Sequence, residues 1–215
     1  MISPTARIYP NVRLGDNVEI GEFAIVGVPP RGRAEGELVT VIGDGAIIRS
    51  HTVIYAGNTI GQRFQTGHHA MIREENSIGD DVSVGTGSVV EHHVQIGNRV
   101  RIHSQAFVPE YSVLEDGAWI GPNAVLTNVP HPLCPRAKEC IKGPTIRRGA
   151  KIGANATILP FLVVGEDALV GAGSVVAEDV PDRAVVAGNP ARVIKRLEQL
   201  TCPVKLIDTP YGGER

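Results

Sequence analysis

The chain has 215 residues and a formal net charge of -2, with 42% apolar and 20% charged residues. That is enough for one domain of ordinary size, and the balance excludes a disordered acidic chain, a basic nucleic-acid face and a polybasic membrane patch. The 25 Gly and 15 Pro set against 4% aromatic residues predict many turns around a core too narrow or too regular for large rings, and without a G-X-Y period collagen is excluded.

The first residues, MISPTARIYP, show no basic segment leading into an apolar one, so no signal peptide is expected. An aliphatic residue then recurs at every sixth position through Ile2, Ile8, Leu14, Ile20 and Val26. The beat gains ten residues around VPPRGRAEGEL and resumes at Ile42, running to Leu126 with Thr66 as the one interruption. It gains fourteen residues around VPHPLCPRAKECIKG and returns from Ile146 to Val176. Four positions after each aliphatic there is usually a small or β-branched residue, as in IGDGAI, VGTGSV and VGAGSV. A period of six is neither helical nor a plain strand alternation. It suits a short strand and a tight corner, with Gly, Asp or Asn making the turn. Three units make a coil of 18 residues, and stacked coils pair as parallel strands about 4.8 Å apart. The prediction is an all-β prism over 1–181, with loops at about 28–41 and 128–145 carrying function outside a rigid scaffold. Beyond it, 182–215 is expected to hold a turn-rich cover (VPDRAVVAGNP), one short helix over Ala191 to Leu200, and a tail.

The longest uncharged stretch, Ala118 to Pro135, holds four prolines and cannot be a membrane helix. Cys134, Cys140 and Cys202 form no C-x-x-C pair, which points to free thiols in a reducing compartment, hence a cytoplasmic protein.

Residues 18 apart should stack on one corner. One corner reads Asp44, Gln62, Asp80, Asn98, Asp116, residues expected to cap their own turns. A second stacks His51 over His69, then Gly87, Gln105 and Asn123. The third reads Glu74, His92, Glu110, Asn128, with Glu75, His93 and Tyr111 beside it, and both loops should leave from it. An imidazole flanked by carboxylates is a candidate general base, since the acid fixes its tautomer and favours its charged form. A solvated charged ridge is the alternative.

The repeats resemble the hexapeptide-repeat superfamily, which implies a left-handed parallel β-helix. SVVEHHVQIGNRV (Ser88 to Val100) looks like the stretch around the catalytic His of bacterial sugar N-acetyltransferases, placing the base at His92. It departs at His93 and Val94, where an acidic residue and a Cys are expected, so Glu110 or Glu74 would have to orient the ring. GPNAVLTNVPHPL (Gly121 to Leu133) has the layout of galactoside and maltose O-acetyltransferases, which points to His131 instead. With its continuation it also resembles nucleotide-sugar 3-N-acetyltransferases, to which Glu110 and Asn128 correspond. The C-terminal block, IGANATI through GNPARVIKRL, is similar to the acetyl-CoA-binding end of these transferases. The resemblance implies pantetheine contacts near Ala154 and Ala172 and phosphate contacts from Arg192 and Lys195. Glu74, Tyr111 and His103 are expected to border substrate, and Asn128 to steady an oxyanion.

The resemblance therefore implies an acetyl-CoA-dependent N-acetyltransferase acting on a nucleotide-linked amino sugar, with His92 or His131 as base, homotrimeric, without metal and without nucleic-acid or membrane partners. A sugar or small-alcohol O-acetyltransferase is the alternative. A γ-carbonic-anhydrase-like metal enzyme is disfavoured because no two histidines lie five apart. A catalytically silent scaffold is the remaining reading.

Overall fold

In the computed structural model, which describes residues 1–211, the six-residue beat is converted into three parallel sheets wrapped as a triangular prism. Nine strands from Arg7–Ile8 to Val175–Val176 build the first sheet, and eight from Val12–Leu14 to Val163–Val164 build the second. The third stacks Glu19–Ile20 through Leu169–Val170 and ends in Ala184–Gly188 and Ala191–Arg196, ten strands in all. Most strands have two residues, and each pairs with the strand one coil away: Met71 with Val89, Ser77 with Gln95, Ser83 with Arg101. The architecture is a left-handed parallel β-helix.

The core follows from the two inward positions of each unit. Ile48, Ile54, Ile72, Ile102, Ile120, Leu126, Ile152 and Ile158 fill it, and Ala46, Ala70, Ala106, Ala118, Ala150 and Ala168 let the corners close over it. Each buried aliphatic of this size contributes about 1.5–3 kcal/mol. Among the described residues Phe64 is the one large ring fully buried in the core. Thr66, the break in the beat, is buried with Thr52: their hydroxyls lie 3.1 Å apart, and Thr66 Oγ1 accepts the Arg49 N–H at 2.9 Å.

The corners force one residue per turn into the left-handed region, glycine or not. Glu75, His93 and Tyr111 have φ of 57°, 56° and 59°, and so do Arg63, Asp81 and Arg99 on the next corner, at 54°, 58° and 56°. Because the conformation recurs around the prism, it is a demand of the coil and marks no site.

Two expectations are corrected. The Asp/Asn column does not cap its own turns. Asp80 Oδ1 accepts from Gln62 N (2.8 Å), Asn98 Oδ1 from Asp80 N (2.9 Å) and Asp116 Oδ1 from Asn98 N (2.8 Å), so each side chain ties its coil to the one before. The second concerns the C terminus. Ala191–Arg196 is a strand antiparallel to Ala184–Gly188, followed by a 3-10 turn over Leu197–Gln199, and there is no α-helix over 191–200. The last coil leaves the third sheet with an unpaired edge, and a hairpin through Asn189 and Pro190 satisfies it; a free helix would not. The end of the expected tail, 212–215, lies outside the described residues.

Both loops leave the prism between the first and second sheets. One runs between Ile25–Val28 and Thr40–Ile42, the other between Val125–Leu126 and Thr145–Ile146. The second carries a 3-10 turn, Ala137–Cys140, and is closed at its base by Lys142 N donating to Asn128 O at 3.0 Å. Among the described residues no helix is long and apolar enough to cross a membrane.

Candidate active site

The corner from which both loops emerge is built by the strands Met71–Ile72, Val89–Val90, Phe107–Val108 and Val125–Leu126, which deliver Glu74, His92, Glu110 and Asn128 one coil apart. From inside, Asn58 Oδ1 accepts the Asn76 N–H (2.9 Å) and Asn76 Oδ1 the Val94 N–H (2.7 Å). Both asparagines are buried, so this part of the corner is fixed by satisfied polar groups.

His92 Nε2 lies 3.6 Å from Glu110 Oε1, and Asn128 Nδ2 donates to the other carboxylate oxygen of Glu110 at 2.5 Å. The His92 and Glu110 side chains are 27% and 26% exposed, so they meet solvent without being immersed in it. His92 Nδ1 is buried and makes no hydrogen bond among the described residues. Tyr111 and His93 present their rings to His92 nearly at right angles, with centroids at 5.9 and 4.9 Å. His93 Nε2 is 3.7 Å from Glu75 Oε2.

Glu74 is committed elsewhere. Arg73 forks onto it, Nε to Oε2 at 2.9 Å and Nη2 to Oε1 at 3.0 Å, and its remaining Nη1 reaches Glu91 Oε2 at 3.1 Å. Burial works to raise the Glu74 carboxyl, but the Arg73 hydrogen bond and charge together hold it below its ordinary value. Of the two expected flanking acids, the one that faces His92 at salt-bridge distance is Glu110.

Sequence columns missed Glu91 and Arg73. Glu91 sits beside His92 and Glu110, with one ligating atom from each of the three within 4.8 Å of the others. Burial pushes its carboxyl up, Arg73 opposes this and Glu110 adds to it. The column beginning at Arg73, one position before Glu74, would have shown both residues. These donors form a mixed nitrogen and oxygen set able to face a cation, including a protonated amine.

The other candidates lie apart. His131 is exposed on the second loop, and its imidazole makes no hydrogen bond, ion pair or ring contact among the described residues. His103 stands on the corner between the third and first sheets, its ring 4.4 Å from Trp119. Ala154 and Ala172 share that corner. A Cβ at Gly153 would come within 2.5 Å of Ala172 N and one at Gly121 within 2.8 Å of Ala154 N, so next to the two alanines these positions take glycine alone and the edge there carries only small residues. A smooth backbone edge is suited to an extended ligand arm. Arg192 is exposed with Nη1 3.4 Å from Glu178 Oε1, and Lys195 is exposed on the same edge strand.

Residues 77–110 and 143–178 match the bacterial transferase hexapeptide repeat (six repeats). Over 63 residues the chain is 49% identical to a dTDP-3-amino-3,6-dideoxy-alpha-D-galactopyranose 3-N-acetyltransferase of Aneurinibacillus thermoaerophilus, covering 29% of this chain and 33% of that one. Over 82 residues it is 44% identical to a 2,3,4,5-tetrahydropyridine-2,6-dicarboxylate N-acetyltransferase of Clostridium perfringens strain SM101, covering 38% and 32%. The match thus spans about a third of the length of these relatives. Among solved structures, a UDP-N-acetylglucosamine acyltransferase from Bacteroides fragilis 9343 superposes with a TM-score of 0.61 at 20% identity, covering 91% of this chain and 74% of that one. The corresponding enzyme of Campylobacter jejuni gives 0.56 at 20% identity, covering 91% and 75%. These two likenesses concern the fold. Two segments of the chain thus carry the hexapeptide repeat of bacterial transferases.

Proposed function

We propose that the protein transfers an acetyl group from acetyl-CoA to the amine of a nucleotide-linked amino sugar. The carrying observation is the chain of contacts His92–Glu110–Asn128 at the corner where both loops emerge. The similarity to a dTDP-3-amino-sugar 3-N-acetyltransferase supports the amino sugar as acceptor. Two relatives with unlike substrates both bear the name N-acetyltransferase, which supports the amine as the acylated group.

The carboxylates of Glu110 and Glu91 draw the protonated amine to the corner, and His92 Nε2, facing the Glu110 oxygen, takes the proton and releases it to solvent before attack. The free amine attacks the thioester carbonyl, its second proton passes to the imidazole, and the C–S bond breaks as the amide forms. The imidazolium returns a proton to the departing thiolate. Glu110 stabilises the imidazolium, and Asn128 holds Glu110 in place with one amide N–H. The second Asn128 N–H and loop backbone amides serve the oxyanion, where one donor is worth about two to three powers of ten in rate. Burial and the absent ring contacts of His131 favour His92 as base.

The smooth alanine edge and the His92 cluster occupy different edges of one prism. A homotrimer, in which the alanine edge of one copy faces the His92 edge of the next, brings donor and acceptor together. In that arrangement Arg192 and Lys195 meet the donor's phosphates and Tyr111 borders the sugar. We place the enzyme in the cytoplasm, where acetyl-CoA and nucleotide sugars coexist.

The test is thiol release from acetyl-CoA with dTDP-, UDP- and GDP-amino sugars, using the parent, His92→Ala and His131→Ala. Turnover lost in His92→Ala and kept in His131→Ala is the expected result. Turnover kept in His92→Ala rejects the assigned base, and turnover with hydroxyl acceptors alone makes the protein an O-acetyltransferase.

A further inference from the structure

The outer face of the third sheet carries a feature that the acetyl-transfer reading does not use. Its outward residues follow in register: Ser83 pairs with Arg101, Arg101 with Trp119, Trp119 with Lys151, and Lys151 with Leu169. Successive rungs of a parallel sheet are about 4.8 Å apart, so the indole is bracketed by two cationic side chains. Arg99, Arg101, Trp119, Lys151, Leu169 and Tyr211 line a cavity of about 460 Å³ on this face, a volume within the small-molecule range.

Among the described residues no carboxylate lines that cavity, although the chain as a whole is slightly acidic. Arg99 makes an exposed ion pair with Asp116 at 3.4 Å, and Lys151 Nζ lies 3.7 Å from Asp167 and 4.9 Å from the Tyr211 ring centroid. The Arg101 guanidinium has no ion pair or hydrogen bond among the described residues. Arg101 also borders the adjoining groove, which holds Arg49, His68 and His103 and, among the described residues, again no carboxylate. His103 packs its ring 4.4 Å from that of Trp119, and its Nε2 is buried without a hydrogen bond. Three cations, a half-buried indole backed by a second ring, and unmet donors on one face make a surface for a ligand that is both aromatic and anionic.

We propose that this face binds a nucleotide, its base against Trp119 and its phosphates on Arg99, Arg101 and Lys151. Guanidinium groups suit phosphate oxygens by fork geometry, and an indole suits a nucleobase by its flat face. Two ligands of the proposed reaction carry such a moiety, the acyl donor and the sugar acceptor. The site is read by binding alone, so it stands or falls separately from the acetyl-transfer reading.

Trp119 is the single tryptophan of the chain, so intrinsic fluorescence reports this face directly. The full chain is titrated with dTDP, with 3′,5′-ADP, and with pyrophosphate, thymidine and adenosine as the separated parts. Saturable quenching by dTDP assigns the site to the acceptor, and quenching by 3′,5′-ADP to the donor. Either result carries the proposal if the separated parts bind about tenfold or more weakly and Arg101→Gln weakens the whole nucleotide by about tenfold. Absence of saturable quenching by both nucleotides overturns it. So does binding unchanged in Arg101→Gln, and so does an Arg101→Gln variant that changes oligomeric state with binding intact, which would make the face a contact between copies.

Discussion

Replacing Glu110 by Gln keeps the shape of the residue and removes the charge that faces His92. The two groups are 3.6 Å apart and about three-quarters buried. Unit charges at about 4 Å attract by about 1 kcal/mol in water and about 4 kcal/mol at the effective dielectric of a protein surface. If the imidazolium forms in the transition state, losing that attraction slows transfer by about fivefold to a thousandfold, and the partial burial places the expected loss between tenfold and a hundredfold. The assay is kcat/KM for thiol release with a dTDP-3-amino sugar, measured from about pH 6 to pH 9. Asn128→Ala leaves the charge but frees the carboxylate, so its loss is smaller, and the double variant loses less than the product of the two, as contacting residues do. Glu110→Gln within twofold of the parent, while His92→Ala is inactive, would refute the role given to the carboxylate.

Thr66→Val restores the aliphatic beat yet removes the acceptor of the Arg49 N–H and the partner of Thr52, so chemical denaturation should show a loss of about 1–3 kcal/mol. His103 has its imidazole held below the ordinary value by burial, with the Arg101 charge adding to it. The folded chain therefore binds this proton less readily than the unfolded one. Stability is full above about pH 6.5 and declines as the pH falls through that value, and His103→Gln removes this part of the slope in denaturation midpoints compared at about pH 7.5 and 5.5. Ala172→Tyr puts a ring on the smooth edge, which should raise KM for acetyl-CoA about tenfold with an unchanged melting temperature; an unchanged KM would move the donor to another edge.

Much of the architecture was legible because a coil is a local object. Six residues make one strand and one corner, so Ile42 to Leu126 and Ile146 to Val176 expose the period directly, and the slips in the beat expose both loops. Stacking by eighteens puts His92, Glu110 and Asn128 in one column, and the structure brings their side chains together. What failed depended on partners far along the chain. ARVIKRLEQL has helix-forming residues, but the open edge at Leu169–Val170 was taken by Ala184–Gly188, which then drew Ala191–Arg196 into a hairpin. No local pattern carries that choice. The Arg73 fork that occupies Glu74 was hidden for a different reason: sorting by columns pairs Arg73 with Glu91, 18 residues on, but cannot show that Arg73 also reaches sideways to its chain neighbour Glu74.

Transfer of the acetyl group to an amine on a nucleotide-linked sugar can be read from the product itself. The protein is incubated with acetyl-CoA labelled in the acetyl group and a dTDP-3-amino-3,6-dideoxyhexose, and the nucleotide sugar is examined by mass spectrometry and NMR. The label is expected in an amide at the sugar nitrogen, formed by the parent and absent with His92→Ala. Label in an ester, or no labelled sugar across dTDP-, UDP- and GDP-linked amines, would contradict it.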